Sequence, residues 1–248
     1  MASKLPAPQL VLDSRMLYTS WIPADPQACA RLLPRALKPA ANHAVYMNQY
    51  VVDRAQQTTG FGAYSLTYLG LDVGGLFAPD GVTPARFFTH YFNSSEGMRE
   101  YAAERGVPAA PGSTTLEVEG GVATATTSVD GTPVIRTRAR VGDVADIVLG
   151  GHLRYITRVG NRLVAGNYPY VGELVSTFQV QSIEFLAPDH PVYALRPASP
   201  LQVVAGSSFY APRDSFVYPG GEEDIGPAEG SAISMDAGFR VSSAGTPA

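Results

Sequence analysis

The chain has 248 residues, 45% hydrophobic and 16% charged, a balance that excludes a disordered or fibrous polypeptide and is ample for a buried core. A formal net charge of −4 provides no general basic field for nucleic acid or an anionic membrane, so the expected partner is a small molecule. There is no run of 18 apolar residues, Met1-Ala2-Ser3-Lys4-Leu5-Pro6 has no signal-peptide core, and the single cysteine, Cys29, has no partner for an intramolecular disulfide, so the expectation is a cytoplasmic protein.

Segments rich in Val, Tyr, Thr and Phe alternate with Gly and Pro along the chain, which predicts a many-stranded protein. Strands are expected at 10–21, 43–53, 62–72 and 85–93. A short helix should open at Asp25-Pro26, an acid cap before a first-turn proline, and stop by Pro34. A second should run from Ser95 to Arg105, after the capping cluster Asn93-Ser94-Ser95 and before Gly106. Strands at 113–119, 122–128 and 133–141 form a meander, because Gly120-Gly121 and Asp130-Gly131 suit the positive φ of tight hairpin turns. Further strands are expected at 152–159, 162–165, 174–186 and 202–218. Residues 1–218 read as one domain and 219–248, rich in Gly, Ser, Ala and acids, as a tail. The fold class is α+β: one large curved antiparallel sheet forming a β-barrel or double cone, with few short helices and the 95–105 helix beside its mouth.

His43, His90, His152 and His190 have no metal-like spacing, and no G-x-S-x-G, phosphate loop or G-x-G-x-x-G after a strand is present, so neither metal nor cofactor is expected. Arg136, Arg138 and Arg140 alternate on one strand and are expected to pair with Glu117 and Glu119 across the sheet.

Four stretches carry a resemblance when taken in order and spacing. They are Leu33-Pro34-Arg35-Ala36-Leu37-Lys38-Pro39; Gly60-Phe61-Gly62-Ala63-Tyr64; His90-Tyr91-Phe92-Asn93 with the helix after it and Gly106-Val107-Pro108-Ala109-Ala110; and Ser207-Ser208-Phe209-Tyr210-Ala211-Pro212-Arg213. Together they resemble the acetoacetate decarboxylase family over about residues 10–218. That resemblance implies a cavity enzyme and a homo-oligomer, but the two positions matching the family's adjacent lysines are Ala109 and Ala110, so imine chemistry is not expected. It also places Arg15 as a cavity arginine, able to hold a carboxylate or enolate in its rigid fork of donors, and puts Leu66 and Ala85 where the family has glutamates.

Strand parity then directs Tyr64, Tyr68, Phe87, Thr89 and Tyr91 to the face of Leu66 and Ala85. Arg15, Tyr91 and Tyr64 are the expected catalytic groups. Tyr68, Leu66, Phe87, Thr89, Val107, Ala109 and Ala110 are the expected substrate wall. The expected function is a lyase, isomerase, cyclase or dehydratase of secondary metabolism, without a Schiff-base lysine, acting on a small keto, enol or polyketide-like compound; a non-catalytic binding protein on the same scaffold is the alternative.

Overall fold

The computed structural model describes residues 5–230 and 233. Its elements, in chain order, are β1 (Gln9–Trp21), α1 (Pro26–Ala30), β2 (Val45–Val52), β3 (Tyr64–Phe77), β4 (Pro84–Asn93), α2 (Glu96–Glu104), β5 (Ala109–Pro111), β6 (Ser113–Glu119), β7 (Val122–Val129), β8 (Thr132–Val141), β9 (Ala145–Val159), β10 (Arg162–Val175), β11 (Phe178–Phe185), β12 (Phe209–Tyr218) and β13 (Glu223–Pro227). Both helices start where their caps predict: the Asp25 carboxylate accepts from the Ala28 amide, and Ser95 Oγ from that of Met98. The hairpin turns also form as expected, with positive φ at Gly120, Gly121, Asp130 and Gly131.

Seven strands close a barrel in the order β12–β1–β2–β3–β4–β9–β10, with β10 pairing back to β12. All neighbours are antiparallel except β4 and β9, which are parallel at Arg86 and Phe87 opposite Tyr155 and Ile156. The short β5 adds to β4, also in parallel. The second sheet, β11–β8–β7–β6, covers the outside of the barrel, and its buried threonines bond into it: Thr127 accepts from Gln49 at 2.9 Å, and Thr67 meets Thr114 and Thr127 at 2.6 Å each. Alternation along the strands therefore separates two environments. Tyr46, Asn48 and Tyr50 of β2 face the barrel interior, while Val45, Met47 and Gln49 face outward.

The structure corrects several expectations. β9 and β10 are much longer than 152–159 and 162–165, and the strand expected at 202–218 begins at Phe209. β7 lies between β6 and β8, so Arg138 stands opposite Thr124 instead of Glu117, and Arg138 and Arg140 are solvated. In the segment expected as a tail, Glu223–Pro227 forms β13 against the start of β10. Its acids have partners: Asp224 pairs with Arg162 at 2.7 Å, and Glu222 pairs with Arg105 at 2.9 Å. The rest of that segment, apart from residue 233, lies outside the described residues.

One irregularity controls which side chains enter the barrel. Leu69 stands opposite His90 but Gly70 stands opposite Phe88, so β4 carries an extra residue, a β-bulge at Thr89. A Cβ at Gly70 would overlap the Phe87 carbonyl and the Tyr46 hydroxyl. Gly70→Ala should therefore lower the stability read from a urea midpoint by about 3 kcal/mol, and an unchanged midpoint would show that β4 can shift without loss.

Candidate functional site

Aromatic rings dominate the barrel interior. Rings from β1, β2, β3, β4, β9, β10 and β12 meet there, with Met98, Tyr101 and Ala102 of α2 at one side. Burial holds the phenols of Tyr18, Tyr46, Tyr50, Tyr64, Tyr91, Tyr168 and Tyr218 well above the usual tyrosine range, so they act as neutral hydrogen-bonding groups. They form two chains. Tyr50 meets Tyr64 at 2.8 Å and Tyr218 at 3.3 Å; the Asn48 amide donates to Tyr68 at 3.0 Å, and Tyr68 meets Tyr168 at 3.0 Å.

The second chain borders a narrow pocket with a cavity volume of about 40 Å³. Met16, Tyr18, Asn48, Tyr68, Tyr168 and Tyr170 form part of its wall, and β12 contributes Phe209, Asp214, Phe216 and Tyr218. A smaller adjoining pocket shares Tyr68, Tyr168 and Tyr218 and reaches Tyr91, Tyr101, Arg105 and Val107.

Asp214 is the charged side chain of the main pocket and is 2% exposed. No described residue donates to its carboxylate, and burial alone pushes it up to about 8. Gly172, opposite it on β10, makes the room: a Cβ there would lie 2.6 Å from Asp214 Oδ1. The other interior charges are matched. Arg86 lies 5.1 Å from the ring centres of both Tyr18 and Tyr46 and pairs with Asp72 at 3.3 Å. Burial also raises Asp72, with Arg86 pulling the other way.

The expected site residues divide between interior and exterior. Tyr64, Leu66, Tyr68 and Tyr91 are buried in the aromatic interior, with Val107 and Ala109 beside them. Tyr68 borders both pockets and Tyr91 the smaller one, whereas Tyr64 borders neither. Arg15 is on the other face of β1. Its side chain, 32% exposed, bonds Asp53 at 2.7 and 2.9 Å and the Leu116 carbonyl, whereas Met16 and Tyr18 point inward. Arg15 therefore does not reach the pocket, because neighbouring residues of a strand face opposite sides and Met16 takes the inward one. Phe87 and Ala110 pack in the core outside the barrel, and Thr89 turns back to bond the Leu69 carbonyl. The bulge explains this, because Phe88 and Tyr91 both enter the barrel three residues apart and parity counted through Thr89 fails.

His90 is also outside, against Thr89 and Phe92, where burial and His190 push it down to about 4. Sequence reasoning missed Asp214, Asn48, Arg86 and Tyr168. Asp214 alone had a legible signal, an acid two residues before Phe216 and so on the same face of its strand.

The shift of Asp214 has a defined effect on stability. Its folded value of about 8 lies above the ordinary 3.8, so its contribution is full below about pH 4 and is lost as pH rises toward 8. The slope approaches about 1.4 kcal/mol per pH unit. Urea midpoints should fall between pH 6.5 and 8 in the natural protein, and Asp214→Asn should flatten that fall; equal slopes would show a hydrated carboxylate.

No protein-family model and no curated protein matches the chain. Solved structures do. The enduracididine biosynthesis enzyme MppR, complexed with the condensation product of pyruvate and imidazole 4-carboxaldehyde, is 16% identical with a TM-score of 0.59, over 91% of this chain and 92% of that one. Acetoacetate decarboxylase from Legionella pneumophila is 14% identical with a TM-score of 0.62, over 92% and 90%. An acetoacetate decarboxylase-like enzyme from Sphingomonas wittichii RW1 is 17% identical with a TM-score of 0.59, over 92% and 99%. Likeness of this kind over nine-tenths of the chain, together with the closed seven-strand mixed barrel, gives this protein the acetoacetate decarboxylase-like fold.

Proposed function

We propose that this protein is an enzyme that moves a proton on a small keto or enol compound without forming an imine. The observation that carries the reading is Asp214, an unpaired buried carboxyl balanced near neutral pH beside the Asn48–Tyr68–Tyr168 chain. The Asp214 carboxylate takes a proton from the carbon next to a carbonyl, and the electron pair moves to the carbonyl oxygen. Asn48 donates to Tyr68, so the chain can run onward to Tyr168 and leave the Tyr168 proton for that oxygen. Because burial keeps the phenol un-ionised, it stabilises the enolate by hydrogen bonding.

Return of the proton to another carbon gives isomerisation, loss of a neighbouring hydroxyl gives dehydration, and attack on a second carbonyl gives cyclisation. One enolate thus serves every reaction class expected from the sequence. Neighbouring structures with this fold include enzymes, one of them complexed with pyruvate, a keto compound. Ala109 and Ala110 stand where the resemblance puts lysines, and Lys38, the one lysine among the described residues, is exposed in the turn after α1.

The test is exchange of α-protons in deuterium oxide, followed by proton NMR over a panel of small ketones. Wild-type protein should accelerate exchange, with a rate that rises toward pH 8. Asp214→Asn should lower it at least about 100-fold, Tyr168→Phe by about 10²–10³, and Arg15→Ala not at all. Acceleration on no ketone would leave the binding-protein reading. Borohydride with acetoacetate should leave the protein's mass unchanged, and a stable adduct accompanying turnover would overturn the imine-free chemistry.

A further inference from the structure

We infer that the pocket takes a substrate bearing a cationic nitrogen, held between aromatic faces and the Asp214 carboxylate. This rests on the proposed proton transfer for its chemistry, but the recognition argument is separate. Rings from β1, β3, β10 and β12 line the pocket together with this carboxyl: Tyr68 comes from β3, Phe209 stacks on Tyr18 at 5.2 Å, Phe216 meets Tyr218 edge-on at 5.4 Å, and Tyr168 lies 6.3 Å from Phe216. Aromatic faces around a single acid attract cations, through the ring quadrupoles and through the acid itself.

The protein supplies no cation for this acid. Arg86 is committed to Asp72 and sits against Tyr18 and Tyr46, and no described residue bonds the Asp214 carboxylate. A buried acid without a counter-ion is costly, and a ligand that brings the counter-ion removes that cost. An anionic ligand would hold Asp214 in its protonated form, which cannot accept a proton from the substrate carbon. A cation also suits the proposed reaction, because it holds Asp214 in the ionised form that accepts a proton. One carboxylate oxygen can face the nitrogen while the other receives the proton from the adjacent carbon, whose electron pair passes to the carbonyl oxygen.

The experiment compares choline with its uncharged carbon analogue, 3,3-dimethylbutan-1-ol, by titration calorimetry on the full chain. Choline should bind at least tenfold more tightly. Asp214→Asn should remove that preference and leave the alcohol's affinity unchanged, with circular dichroism confirming the fold. Tyr170→Leu, which removes a ring and keeps the acid, should weaken choline more than the alcohol. Equal affinities, a preference that survives Asp214→Asn, or no binding of either probe would overturn the inference. Ketone exchange without a choline preference would sink this inference alone, whereas a choline preference with no exchange on any ketone would sink the proposed reaction alone.

Discussion

Closure of the barrel depends on β12 pairing along both of its edges, with β1 on one side and the end of β10 on the other. This double pairing removes two open sheet edges, which would otherwise offer free backbone groups to other chains. It also encloses Asp214. Asp214 lies opposite Ser14 on one side and Gly172 on the other, so its side chain has no route to solvent along an edge. On an open β12 the same carboxyl would be hydrated and ordinary.

Beside the Arg86–Asp72 pair, the polar groups of the interior are mainly phenols and an amide, joined in the two hydrogen-bonded chains. A tyrosine contributes a large apolar ring and one hydroxyl, and two hydroxyls facing each other satisfy one another. Such a lining keeps the dielectric low, and this is why a single carboxyl within it shifts so far while exposed acids such as Asp224 remain low beside their arginines. The two buried acids of the barrel strands show the contrast. Asp72 has Arg86 and is built into the wall; Asp214 has no partner and is available to a ligand.

The side of the barrel near α2 shows how an acid-rich segment becomes ordered. Arg105 lies 3.5 Å from the ring centre of Tyr101 and pairs with Glu222, which also accepts from the Tyr155 hydroxyl at 2.7 Å. Glu222 therefore bridges the end of α2 and β9 just before β13 begins. Composition suggested a tail because it registers charge, but charge that finds buried partners is structure.

What the sequence determined by itself was local. The helix caps, the tight glycine turns, the strand-rich class, the absent lysines and the inward direction of Tyr64, Leu66 and Tyr68 all follow from neighbours within a few residues. Tertiary structure decided the rest. The bulge at Thr89 reversed the parity of β4, sending Phe87 and Thr89 outward and Phe88 and Arg86 inward, and the irregular pairing of β1 left Arg15 on the outer face with Asp53. Asp214 became a candidate acid only through long-range closure, because burial without a partner depends on what lies across the barrel. That information belongs to residues some 40 to 200 positions away in the chain, and no local pattern of side chains encodes it.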